Sequence, residues 1–361
     1  MLSEDGQTKL YFELLDNLVD KNHAYRKVLE IVDFKKLCKP LHKCYSSNNG
    51  EKAYPVELAF KCLILQQWED LSDRQMERFL KENLAGKLFC GFGLLDNTPD
   101  HSYFGKLRDR FGIDKIVELH NTAVSQLKSQ NVVSEVFTVL DSTSVISKLS
   151  IWRERDRILA EKSPPRLKAI QKNIPSVDLS GNLKEATSKE EIKTTNKNIS
   201  NYAIDKDAKI GNKGKNKYWY GYKRHVAVDC KSGIITNVEV TPANILDHDE
   251  RVLDKILPTQ GMVLTDRGYD TNKVEDKVAE RNLVSGIRKR KIRKNRDPDR
   301  DKWVTRLRSP FESVFRYADK VTLYKGLSKV KFHQVLDTFA LNLKRLVKIN
   351  GTPLFPAIKL A

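Results

Sequence analysis

Apolar residues near the start of the chain recur at helical spacing: Leu10, Leu14, Leu15 and Leu18 fall close to a 3.6-residue period. The same texture predicts a mostly helical region from about residue 8 to 130. Ser72, with Gln75 three positions on, is a capping-box start. A further helix is expected from Asp100 or Ser102 to Phe111, with Tyr103, Phe104, Leu107 and Phe111 facing inward and Lys106, Arg108 and Arg110 outward. The turn between these two helices, around Gly91 to Pro99, is long. The pair therefore fits a loose helix-turn-helix and an ordinary helical bundle with a basic face equally well.

From residue 136 the pattern shifts to β-branched runs. Val136 to Asp141 reads as a buried strand. A charged stretch with little apolar content follows from about 153 to 217; it reads as a surface insertion, helical through Trp152 to Lys162 and irregular beyond. Tyr218 to Asp229 and Ile234 to Thr241 predict a hairpin closed by Cys230 to Gly233. A short helix near His248 to Ile256, a strand ending at Asp266, a helix from Asn272 to Arg281, a strand from Leu283 to Ile287 and a helix from Pro310 complete the order. That succession predicts an α/β fold, a ribonuclease-H-like mixed sheet flanked by helices, with an all-α N-terminal domain. The expected division is 1–130 helical, 131–350 for the sheet domain, and a tail from 351 to 361.

Composition adds a partner class. Lys and Arg number 65 against 47 Asp and Glu, a formal charge of +18 that speaks for a polyanion such as nucleic acid. Five cysteines without a Cys-x-x-Cys pair argue against a disulfide framework or a zinc cage. The first residues lack the apolar run of a signal peptide, and no run is long enough to cross a bilayer, so a soluble protein of a reducing cytoplasm is expected.

Three acids are the candidate chemistry. Asp141 and Asp266 each end an apolar strand, where ligand groups gather in open sheets. Glu312 opens a helix. Each has a plainer role available: a strand-end Asp caps the next turn, and Ser309 to Glu312 is itself a capping box with Pro at the first helical position. Brought together, they would hold two Mg2+ (or Mn2+) ions roughly 3.5 to 4 Å apart for phosphodiester chemistry. A second candidate is the run Arg288, Lys289, Arg290, Lys291, Ile292, Arg293, Lys294, Asn295, Arg296, in which seven of nine residues are basic. It reads either as a DNA contact or as a solvated charged loop, and its place before Glu312 favours DNA. Trp303 is a candidate to stack on an unpaired base. His225 reads as a packed strand residue and Asp229 as a turn residue, so neither is expected among the ligands.

Several segments in order resemble bacterial insertion-sequence transposases of the Asp-Asp-Glu type. These are Ala24 to Lys27, Leu71 to Gln75, Thr98 to Ser102, Gly221 to His225, Thr241 to Asn244, Thr265 to Tyr269 and Leu341 to Leu346. The resemblance spans roughly residues 5 to 350. It implies that Asp141, Asp266 and Glu312 form the catalytic triad, that the helical region binds DNA or mediates assembly, and that Arg308, four residues before Glu312, belongs to the site. Where many relatives carry Tyr and Lys around the last acid, this chain has Thr305 and Asp319; Lys320 lies one step beyond. The implied activity is DNA cleavage by water followed by transfer of the 3′-hydroxyl. The implied partners are double-stranded DNA, both terminal inverted repeats and target, and further copies of the chain on that DNA. A retired, binding-only transposase and a nuclease without strand transfer are the competing readings.

Overall fold

The computed structural model describes residues 15–45, 53–148, 204–213, 218–294, 296–311, 314 and 320–349. The expected helix from Trp152 to Lys162, Glu312, Asp319 and the tail from 351 lie outside the described residues.

The described N-terminal region is helical as expected, although Leu10 and Leu14 lie outside the described residues and, of the other two residues of the expected apolar period, Leu15 is buried and Leu18 exposed. The elements are α1 (Ala24–Ile31), α2 (Phe34–Leu37), a 3-10 turn (Lys39–Cys44), α3 (Val56–Trp68), α4 (Asp73–Glu82), α5 (Leu84–Cys90) and α6 (His101–Ser129). The capping box at Ser72 forms, its hydroxyl accepting from the Gln75 amide. Asp100 caps α6 by accepting from the amides of Ser102 and Tyr103. The helix breaks where expected, after Phe111: Gly112 takes φ 66°, and the chain then resumes a helix to Ser129. One element was not anticipated, because α5 fills the segment between α4 and the Gly91 turn. Asn83 caps it and Gly91, at φ 97°, ends it in a left-handed conformation.

A seven-stranded mixed sheet follows. Its strands are β1 (Phe137–Ser147), β2 (Lys209–Asn212), β3 (Tyr218–Asp229), β4 (Ile235–Pro242), β5 (Met262–Thr265), β6 (Val284–Ile287) and β7 (Val321–Thr322). β1 is central. It pairs antiparallel with β3 along one edge, while β5 and β7 run parallel to it along the other. β4 pairs antiparallel with β3 and β6 pairs parallel with β5. The hairpin of β3 and β4 turns on Gly233, φ 71°. β2 pairs with β3 as well, so the last part of the stretch read as an irregular insertion is sheet. Four residues with no apolar run gave no period to detect.

Alternation along the strands sends side chains to two cores. Leu140, Ala227, Val263 and Ile287 pack with α7 (Glu250–Ile256) and α8 (Asn272–Glu280). Val139, Val226, Leu264 and Ile235 face the other way, onto Val304 and Phe311 of α9 (Pro298–Arg308) and the 3-10 turn that follows it. α9 was not foreseen, although its start is marked: Asp297 caps the amides of Asp299 and Arg300, and Pro298 takes the first turn.

The closing helix α10 (Leu327–Ile349) joins the layers. Phe332, Val335, Leu336, Phe339, Leu343 and Leu346 enter the helical core beside Phe60 and Leu119. Its other side clamps the sheet: the Asn342 amide exchanges hydrogen bonds with the backbone of Ile235 at 2.8 and 2.9 Å. The fully buried Arg224 of β3 reaches Asp337 at 2.5 Å and Thr338 at 2.6 Å. Among the described residues no helix is long and apolar enough to cross a membrane.

Candidate active site

The sheet register sets the first two acids side by side. In the parallel pair, Val139 lies opposite Leu264, and two residues further along the chain in each case stand Asp141, still within β1, and Asp266, in extended conformation one residue past β5. Neighbouring strands are about 4.8 Å apart, and facing residues of a parallel pair share a sheet face. Both acids therefore emerge on the face of Val139, Leu264 and α9. The last residue of α9 comes to meet them: an Arg308 guanidinium nitrogen lies 3.3 Å from Asp141 Oδ2.

Asp141 accepts from the Ser142 amide at 2.8 Å. Burial raises its pKa, the neighbouring charge of Asp266 adds to that, and Arg308 with the Ser142 amide works against both. Asp266 caps the 3-10 turn Arg267–Tyr269, one carboxylate oxygen accepting from the Gly268 amide at 2.8 Å. The turn-capping role and a place in the site are thus compatible in one residue. Tyr269 is fully buried below, its hydroxyl held far from ionisation by burial and by the charges of Asp247, Asp141 and Asp266.

Asp247 was not singled out from the sequence. It receives the Lys223 ammonium at 2.9 Å and lies 3.9 Å from His225 Nδ1. Burial works to raise its pKa, but Lys223, His225 and a hydrogen bond from Ser142 bring it below the ordinary value. His225 is buried as expected, with Nε2 at 2.9 Å from Thr241 Oγ1. Lys223 and His225 alternate with Arg224 on β3, so one strand feeds this cluster from one face and grips α10 from the other. The readable signal was that alternation, Lys-Arg-His at period two. Asp229 spends its carboxylate on the hairpin turn, accepting from the Ser232 amide and hydroxyl and the Glu135 amide.

Glu312 lies outside the described residues; on either side of it, Phe311 and Val314 pack into the small core of Val139 and Leu264. Lys320 is exposed, and its carbonyl accepts from the Ile146 amide beside β1. Among the described residues, no group of three or more His, Cys, Asp or Glu side chains is arranged to hold an ion.

The basic run is anchored rather than loose. The buried Asp270 accepts from the Arg290 amide at 2.8 Å and from Arg293 at 3.4 Å. Burial alone would raise the Asp270 pKa, yet the Arg290 amide, Arg293 and Lys289 carry it below the ordinary value. Lys289 also pairs with Glu275, and Arg296 reaches the buried Asp301 at 2.9 Å. Arg290 donates to the carbonyl of Arg267, the residue after Asp266. Lys291 and Lys294 are exposed and have no ion-pair partner among the described residues.

On α6, Lys106 is exposed, and Arg110 is exposed and stacked over Tyr45 at 4.7 Å. Arg108 corrects the outward expectation. It turns inward to Asp73 at 2.5 Å and to Gln66, under the Tyr324 ring at 5.6 Å. An acid at the start of α4, with Gln66 beside it, outweighs the polarity of a guanidinium whose stem packs well.

A mixed sheet in the order β4, β3, β1, β5, β6, with Asp141 inside β1, which runs on to Ser147 rather than ending at the acid as expected, and Asp266 just past β5, defines a ribonuclease-H-like protein. Residues 13–110 match the family model for a transposase domain (DUF772), and residues 187–341 match that for a transposase DDE domain. The chain belongs to the insertion-sequence transposases of the DDE type. Members of this family generally use divalent metal ions and bind DNA. The second match includes Asp266, Arg308 and Glu312, while Asp141 falls in the unmatched stretch between the two. No solved structure matches the chain significantly.

Proposed function

We propose that this transposase cuts phosphodiester bonds at the ends of its element and joins the freed 3′-hydroxyl to target DNA, with Asp141, Asp266 and Glu312 as the catalytic acids. The observation that carries the reading is the register of β1 and β5, which supports Asp141 and Asp266 as a facing pair of carboxylates on one sheet face. Two hard oxygen donors whose like charges oppose each other fit a divalent cation. Magnesium there would supply charge stabilisation for the attacking and leaving oxygens of an in-line displacement.

The protein's own groups do the rest. Asp141 and Asp266 hold fixed directions because the strands beneath them are buried on both faces. Arg308 keeps Asp141 nearer its ionised form and presents the rest of its guanidinium to a phosphate. Phe311 and Val314 support the assignment of Glu312, since both neighbours pack on the core under the two aspartates. Lys106, Arg110, Arg290, Lys291 and Lys294 offer exposed cations to the duplex. In this reading the helical region through 130 forms the DNA-binding and assembly part, and several copies act together on DNA.

The test is a supercoiled donor plasmid carrying the element's ends, incubated with magnesium and labelled target. Joined product is expected from the parent chain and none from Asp141→Ala, Asp266→Ala or Glu312→Ala, with folding and DNA binding retained. Nicking without joining would leave a nuclease, and a mobility shift without cutting would leave a binding protein.

A further inference from the structure

The basic loop carries one residue that phosphate binding does not explain. Ile292 is 85% exposed, more than any other large apolar side chain among the described residues. It sits at the tip of a turn closed by the Arg293 amide on the Arg290 carbonyl at 3.0 Å. Lys291 and Lys294 flank it, both exposed.

Singly exposed apolar residues are common on flexible loops. This loop differs in being tethered at both shoulders to one buried carboxylate, through the Arg290 amide and the Arg293 side chain on Asp270. Its base is tied again through Lys289 to Glu275 and Arg296 to Asp301. The Arg290 contact with the Arg267 carbonyl sets the finger beside the end of β5, next to Asp266. A rigid finger with cations on its sides and a branched alkyl group at its point suits a polyanion with an apolar interior.

We propose that Ile292 is a wedge that enters the base stack of duplex DNA beside the phosphate to be cut. The proposal rests on the DNA reading above and extends it. The flanking cations would neutralise phosphates on either side while the side chain, which has no group to read base edges, prises one base step apart. Insertion of this kind is indifferent to base identity except through the ease of unstacking, so flexible pyrimidine–purine steps would be preferred.

Closed circular plasmid bound by the full chain without divalent metal, relaxed by a type IB topoisomerase and stripped of protein, reports the unwinding. The parent chain is expected to lower the linking number in proportion to the amount bound. Ile292→Ser should lose most of that change at equal occupancy, with affinity weakened by roughly tenfold to a hundredfold, the scale of one buried alkyl side chain. Ile292→Leu should restore it. Lys291→Ala with Lys294→Ala should lower occupancy while leaving the change per bound molecule intact. Equal unwinding by Ile292→Ser and the parent, or no unwinding by a bound parent, overturns the wedge; so would loss of self-association in Ile292→Ser without any topological effect. Failure to bind the plasmid at all is read at the binding step and sinks the DNA reading itself. Unwinding by a chain that never cleaves sinks only the catalytic reading.

Discussion

Asp141 and Arg308 are a pair whose charges are arranged for something other than stability. Burial and Asp266 disfavour the Asp141 carboxylate, and Arg308 offsets part of that. Because the folded chain holds the Asp141 proton to higher pH than the unfolded chain does, this group's contribution is favourable at acid pH and is lost as pH rises through the folded value. Asp141→Asn is therefore expected to raise the thermal midpoint at neutral pH while cutting magnesium-dependent cleavage by more than about a hundredfold; calorimetry beside a plasmid assay checks both. Arg308→Ala removes the offset, so the acidic limb of the pH–rate profile should move to higher pH. A limb that stays put would take Arg308 out of the electrostatics of Asp141. His120 and His225 act in the opposite sense. Burial brings each to about 4 from an ordinary 6.5. The unfolded chain takes up protons first, so stability is complete above about pH 6.5 and falls as pH drops towards 4. His120→Gln, measured by urea unfolding at pH 7 and pH 5, should shrink that loss.

At the level of elements, the site depends on how β1 and β5 are joined in register. Gly261, at φ 86°, precedes β5, and a Cβ there would lie 2.0 Å from the Glu135 carbonyl oxygen and 2.6 Å from that of Val136. Backbone strain of this kind costs on the order of 1 to 3 kcal/mol before the clash is counted. Gly261→Ala is expected to destabilise by at least that much in urea titration and to abolish cutting, because the strand end carrying Asp266 must shift. Much of this was legible beforehand. The runs of β-branched residues before Asp141 and Asp266 are strands, although β1 runs on to Ser147 where an end at Asp141 was expected, and the hairpin and the break after Phe111 announce themselves by turn residues and period. What was not legible is what tertiary contacts decide. Arg108 looks like a surface cation until Asp73 is seen beneath it, α5 is a single short segment between two turns, and Asp247 is held by Lys223 and Ser142 without any motif of its own to mark it. The basic run was half legible: its charge is plain in the sequence, but its anchoring depends on Asp270 and Asp301, two acids that no pattern marks as buried.

Across the whole molecule, a formal charge of +18 does not say which cations meet DNA, and burial divides them. Arg224, wholly buried against Asp337, holds α10 to the sheet and so ties the helical core to the strands. Removing its partner with Asp337→Ala leaves an uncompensated buried guanidinium, a loss of about 3 to 5 kcal/mol. Arg108 likewise belongs to the fold. Arg108→Ala should cost about 1 kcal/mol through the lost bonds to Asp73 and Gln66, which keep their own hydrogen bond to each other, yet leave the salt dependence of DNA binding unchanged. Lys291→Glu with Lys294→Glu should do the reverse. Each lost phosphate contact lowers the slope of log affinity against log salt by about one, uniformly across sequences, while the melting temperature barely moves. Measured together by a salt series of binding isotherms and by thermal unfolding, the two variants separate cations that build the protein from cations that read its partner. A flattened slope in Arg108→Ala would place α6 rather than the β6 loop against the duplex. In that case the DNA path would run along the helical face of Lys106 and Arg110, away from Asp266, and the loop beside the acids would have to hold its charge for another strand.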